Sequence, residues 1–156
     1  MKVLIVSERY KYPGRAERLN YIMEEFQRYG SFEFIAFDVD RQSFVKRGLH
    51  ILKVNRGDEI SKCISYMKGV IGQERFFVVM ETAMEGTDIG RLLYDHKKSG
   101  MGITVAARRE ADGSWKNLGI ALLENEYLDL ICDGAALEPD IMVDCAENGE
   151  LGICYS

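Results

Sequence analysis

Short apolar runs alternate with helix-period apolar stripes along the first two thirds of the chain, and that alternation limits the fold more than any other feature. Val3 to Val6 is an almost purely apolar run, the pattern of a strand buried on both faces. Apolar residues then recur at Leu19, Ile22, Met23 and Phe26, one stripe of a helix that Gly30 stops. Phe32 to Phe37 reads as a second strand and His50 to Val54 as a third. Asp58 is placed to cap the next helix, whose stripe is Ile60, Cys63, Ile64, Met67 and Ile71, ending at Gly72. Phe76 to Met80 is the most apolar strand and is expected at the sheet's centre. Thr87 or Asp88 caps a third helix with Ile89, Leu92, Leu93 and His96 on one face, Lys97 and Lys98 near its C-terminus and Gly100 beyond; Gly102 to Ala107 is the next strand. Strand and helix alternating at these lengths build right-handed crossover units, hence an α/β fold with a mostly parallel sheet and helices on both faces.

From Leu118 the pattern changes. LGIALL, a polar turn at 124–126 and Tyr127 to Cys132 (YLDLIC) read as strand, turn, strand, a C-terminal β-hairpin extension at a sheet edge. Ile141 to Val143 and Leu151 to Tyr155, around Asn148-Gly149, read as a last short hairpin. No linker or repeat interrupts the 156 residues, so the expectation is a single domain over 1–156.

Charge and cysteines narrow the function classes. With 20 Lys and Arg against 25 Asp and Glu, the net charge of −5 gives no electrostatic ground for general nucleic-acid binding, which draws on Lys and Arg displacing counterions. No apolar run approaches the roughly 20 residues of a membrane-spanning helix, and Met1-Lys2 leads directly into a short strand, so a cytoplasmic protein with no membrane partner is expected. Cys63, Cys132, Cys145 and Cys154 are irregularly spaced without a CxxC pair, which favours buried or free thiols over zinc; spacing leaves a C-terminal disulfide open.

In an open parallel sheet, ligands sit beyond the carboxyl ends of the strands. After the first strand, Ser7 to Arg15 packs Arg9, Lys11 and Arg15 with Tyr10 and Tyr12 before a helix start, a set suited to a phosphate and a stacked base or sugar. It lacks a phosphate-binding glycine fingerprint. After the second strand, Asp38-Val39-Asp40 offers two carboxylates for a divalent cation or a nucleophile role, with Arg41 as the alternative counter-charge. After the fourth, Glu81, Glu85 and Asp88 lie within reach of a nucleotide's metal or a sugar hydroxyl, though Asp88 is equally a helix cap. His96, on an apolar stripe, reads as a hydrogen-bonded packing residue.

Phe76 to Glu110, FFVVMETAMEGTDIGRLLYDHKKSGMGITVAARRE, resembles the middle of the sugar-1-phosphate nucleotidyltransferases (nucleotide-sugar pyrophosphorylases). There an apolar strand ends in Gly-Asp, a loop leads to an Asp-Leu helix, and that helix runs through His and Gly to a "TIAV"-like strand. Asp88-Ile89, Leu92-Leu93, His96, Gly100 and Thr104-Val105-Ala106 stand at matching spacing. The first strand, the YPGRAERLNYIMEEF segment and Asn55-Arg56-Gly57 follow in the same order, so the likeness spans about residues 1–131, with 132–156 as an extension. It implies a nucleotide-diphospho-sugar transferase-like, Rossmann-like fold and a nucleotide or sugar-phosphate ligand. Ser7, Arg9, Lys11, Arg15, Gly57, Glu81 and Thr82 are the implied substrate-side residues, with Asp38 and Asp40 for Mg2+ if the chain is active.

The departures point away from full catalysis. The family's Gly-Gly-x-Gly-Thr-Arg-Leu phosphate loop is replaced by SERYKYPGR, and its metal-holding Asp aligns with Thr82, the preceding Gly with Glu81. Phosphoryl-type transfer rests on positioning and charge neutralisation, so these losses predict a degenerate domain that binds, regulates or assembles, with a homo-oligomer among the expected forms. Two alternatives stand beside it: an active Mg2+-dependent nucleotidyl- or glycosyl-transferase using Asp38, Asp40 or Glu81, and an unrelated doubly wound α/β binding domain.

Overall fold

The computed structural model describes residues 1–7, 12–39, 48–55, 57, 58, 60–83, 86–132 and 137–155. Its strands are β1 (Lys2–Val6), β2 (Glu33–Asp38), β3 (Leu49–Lys53), β4 (Phe76–Met80), β5 (Ile103–Arg109), β6 (Trp115–Leu123) and β7 (Leu151–Tyr155). Its helices are α1 (Arg15–Gln27), α2 (Ile60–Ser65), α3 (Lys68–Ile71), α4 (Ile89–Ser99), α5 (Glu126–Cys132) and α6 (Val143–Glu147), the last entered through a π-helical turn over Leu137–Met142.

The strands form one seven-stranded sheet in the order β3-β2-β1-β4-β6-β5-β7. Every adjacent pair is parallel except those made by β6, which runs antiparallel to both β4 and β5. The α/β class with a mostly parallel sheet is therefore as expected, and β4 stands at its centre. Side chains alternate between two cores, as a doubly covered sheet requires. On one face Val3, Ile5, Phe77 and Val79 meet α1 and α4; Phe26 of α1 sets its ring edge against Phe77, centroids 4.9 Å apart. On the other face Leu4, Val6, Phe76 and Val78 meet α2, α3, α5 and α6.

Helix ends follow local chemistry. Asp88 caps α4 by accepting from the Arg91 amide at 3.0 Å, and Gly100 closes it in the left-handed region at φ 66°. The expected helix over 60–71 is two pieces, because Tyr66 and Met67 turn between α2 and α3. Ahead of α2, the Asp58 carboxylate accepts from the Asn55 amide and the Tyr66 hydroxyl and pairs with Lys62, which holds it below the usual carboxylate range.

The C-terminal region corrects the sequence reading. The expected strand Tyr127 to Cys132 lies in helix α5, because burial there follows period 3.6: Tyr127, Leu128 and Ile131 are buried and Leu130 is exposed. β6 is not an edge strand but lies between β4 and β5, joined to β5 by the hairpin around Asp112-Gly113. Asp112 accepts from the Ser114 amide at 2.9 Å, and Gly113 takes φ 85° in that turn. The last expected hairpin is also replaced. Ile141 to Val143 is helical, Asn148-Gly149 ends α6, and β7 pairs parallel with β5. The C-terminal β-hairpin extension is thus a helical segment followed by a seventh sheet strand. Cys63, Cys145 and Cys154 are buried. His96 is a buried packing residue that bridges Thr104 Oγ1 at 2.8 Å and Glu124 Oε1 at 3.0 Å. Among the described residues no helix is long and apolar enough to cross a membrane.

Candidate functional site

Chain order reverses beside β1. From β1 the chain goes through α1 to β2 on one side, while β4 lies on the other, so the carboxyl ends of β1 and β4 are the switch point where an open α/β sheet places its ligand crevice. Three charged residues from three elements meet there. Arg15 opens α1, Asp38 ends β2, and Glu81 follows β4, its amide donating to the Val6 carbonyl at 2.8 Å. All three are buried, with Arg15 3%, Asp38 0% and Glu81 1% exposed.

The guanidinium of Arg15 ties the two carboxylates together. Nη1 donates to Asp38 Oδ2 at 3.0 Å, Nε donates to Glu81 Oε1 at 2.9 Å, and Nη2 donates to the Phe37 carbonyl at 2.7 Å. A planar fork with several fixed donors suits this bridging in a way a point-charge ammonium does not. The Tyr12 hydroxyl donates to the same Glu81 Oε1 at 2.7 Å. Burial, that hydrogen bond and the Glu81 charge push the Tyr12 phenol up to about 12, so it remains a donor across the physiological range. Glu81 Oε2 is buried and has no hydrogen-bond partner among the described residues.

A second arginine fixes the rim. Arg18, one turn along α1, donates through Nε to the Glu81 carbonyl at 2.7 Å and through Nη2 to the Ala83 carbonyl, so α1 holds the loop after β4 in place. Gly119 of β6 backs that loop at φ 75°. A Cβ there would stand 3.0 Å from Met80 Cβ and 3.1 Å from Ala83 Cβ, so glycine lets β6 pass close to the end of β4.

The sequence candidates separate in the fold. Arg15, Asp38 and Glu81 converge. Ser7 follows β1 at the same edge, and Thr82 is exposed beside Glu81. Gly57, at φ 84°, follows β3, on the far side of β2 from β1. Arg9, Lys11 and Asp40 lie outside the described residues, as does Glu85. Sequence reasoning passed over Arg18 and Gly119 as site residues, and took Tyr12 as a stacking residue instead of a donor to Glu81. The signal for Tyr12 and Arg18 was their place in the basic, aromatic segment; for Gly119 it was a glycine interrupting an apolar strand.

The Mg2+ implied by the resemblance does not fit the described donors. Magnesium takes oxygen ligands in a near-octahedral shell, whereas the Asp38 and Glu81 oxygens that face one another are bonded to Arg15. Among the described residues no group of three or more His, Cys, Asp and Glu side chains gathers to hold a metal ion.

No family model and no curated protein matches the chain. Among solved structures it is similar to a Bacillus anthracis protein described as a glucose-1-phosphate thymidylyltransferase, crystallised in complex with sucrose, with a TM-score of 0.72. That superposition spans 99% of this chain and 86% of the other at 10% sequence identity, a likeness of fold. The chain folds as a nucleotidyltransferase-like α/β sheet.

Proposed function

We propose that this nucleotidyltransferase-like domain binds a nucleotide or sugar phosphate without performing nucleotidyl transfer, and serves in regulation or assembly. The observation carrying the reading is the capture of Asp38 and Glu81 by Arg15, at 3.0 and 2.9 Å, inside the crevice where the fold would place its chemistry. A carboxylate engaged by a buried guanidinium is not available to position a metal-bound phosphate, and that positioning supplies most of the rate in phosphoryl-type transfer. Ser7, Arg9, Lys11 and Thr82 are the residues proposed to meet an anionic ligand. A cytoplasmic setting and self-association belong to the same proposal.

Pyrophosphate release is the deciding measurement. With Mg2+ and a panel of nucleoside triphosphates and sugar 1-phosphates, release stays at background, while some member of the panel raises Tm and Arg9→Ser with Lys11→Ser reduces that rise. Mg2+-dependent release that disappears in Glu81→Gln overturns the reading in favour of an active transferase. A panel with no Tm response removes the proposed ligand class.

A further inference from the structure

Two carboxylates buried beside one another demand positive charge between them, and here a side chain of the fold supplies it. Asp38 ends β2 and Glu81 directly follows β4, the two strands flanking β1, and the Glu81 amide is bonded to the Val6 carbonyl of β1, so the sheet sets their approach. Arg15 is fixed as firmly. Its helix begins after Gly14 in the left-handed region at φ 83°, its Nη2 is held by the Phe37 carbonyl, and Arg18 pins the same helical turn to the loop after β4. The guanidinium meets Asp38 through Oδ2 and Glu81 through Oε1. It leaves Glu81 Oε2, on a side chain 1% exposed, buried without a donor among the described residues. A buried acceptor without a partner is costly, and a divalent ion, which draws oxygens from several donors at once, is the kind of group that would use it.

We propose that Arg15 is the resident cation of this crevice: its guanidinium takes the position between Asp38 and Glu81 that a divalent ion needs. The native chain therefore binds its ligand independently of divalent ions, and the carboxylate pair becomes a divalent-cation site when that guanidinium is removed. The proposal deepens the reading above and rests on it for the crevice being the ligand site. Methionine in place of arginine keeps much of the side-chain length and removes the charge, leaving two buried carboxylates whose repulsion a divalent ion relieves.

The probe is Mn2+ alone, followed by electron paramagnetic resonance and thermal unfolding on the full chain. Wild type holds no saturably bound Mn2+, and its Tm is the same in Mn2+ and in chelator. Arg15→Met binds Mn2+, and at about 100 times the Kd its Tm rises by roughly 5–10 °C. Adding Glu81→Gln to Arg15→Met abolishes both effects. Mn2+ bound by wild type and lost in Glu81→Gln overturns the proposal, as does a folded Arg15→Met that gains nothing from Mn2+. If Arg15→Met does not fold in buffer, it is refolded with and without Mn2+: native circular dichroism recovered only with Mn2+ supports the proposal, and equal failure overturns it. Saturable Mn2+ binding by wild type without pyrophosphate release removes the resident cation and leaves the binding function standing; release removes the function itself.

Discussion

Arg15 shows how one residue sets the chemistry of a crevice. Desolvating a guanidinium and two carboxylates costs several kcal/mol per ion, and a buried triad of this kind contributes less to stability than it does to fixing a unique arrangement. Its removal is another matter, because each carboxylate then stays buried without its partner. Arg15→Ala is expected to destabilise the fold by about 3–5 kcal/mol in urea unfolding. Arg15→Lys keeps the charge yet recovers less than half of that loss, since an ammonium on a flexible stem cannot reproduce the fork to Asp38 Oδ2, Glu81 Oε1 and the Phe37 carbonyl. A lysine variant as stable as wild type would show that charge alone, and not the planar fork, holds the crevice together. The sequence flagged Arg15, Asp38 and Glu81 separately, as a possible phosphate ligand, a metal ligand and a substrate contact. Their pairing was not legible, because the partners are 23 and 66 residues apart and only the strand order brings them together.

At the scale of elements, legibility followed the strength of the apolar period. The five strands read in the first two thirds and helices α1 and α4 carry patterns that admit one structure, and each formed where its period placed it. Tyr127 to Cys132 fits two. Its apolar positions satisfy a buried strand as well as one helical face, and packing decides: α5 lays Tyr127, Leu128 and Ile131 into the core shared with α2 and turns Leu130 outward, 48% exposed. Position 130 against 128 therefore separates the two structures experimentally. Leu130→Asp should leave stability within about 0.5 kcal/mol, as for an exposed helix site, whereas Leu128→Asp should cost several kcal/mol by burying an unpaired carboxylate. Equal losses at both positions in urea unfolding would favour the strand. The place of β6 was beyond reach for a different reason: a strand's position in a sheet depends on its partners, and nothing local to LGIALL says that it runs between β4 and β5.

The whole molecule is a sheet with one core on each face, and His96 joins the parts of it that chain order leaves far apart. It sits on α4, 1% exposed, with Nδ1 accepting from the Thr104 hydroxyl in β5 and Nε2–H donating to Glu124 after β6; Arg75, ahead of β4, pairs with the same carboxylate at 3.1 Å. A carboxylate accepts and does not donate, which assigns the ring proton to Nε2. Two effects compete for the ring's charge. Burial disfavours the imidazolium, the bond to Glu124 favours it, and burial wins, so His96 titrates below the usual histidine value. The sign of the consequence follows from proton counting. Below the unfolded value of about 6.5 the unfolded chain binds a proton that the folded chain does not, so stability falls as pH drops from there toward the folded value. Above about 6.5 the contribution is fully present. Asp58 and Asp112, both held below their ordinary value by hydrogen bonds, act only at lower pH, so the two regimes separate. Urea unfolding at pH 7.5, 6.5 and 5.5 should show wild-type stability declining over the last interval. His96→Gln, which keeps hydrogen-bonding capacity without titrating, should be flat there even if less stable overall. A wild type as flat as the variant would mean that Glu124 compensates the burial of the ring in full, and that the junction of α4, β5 and β6 tolerates the imidazolium.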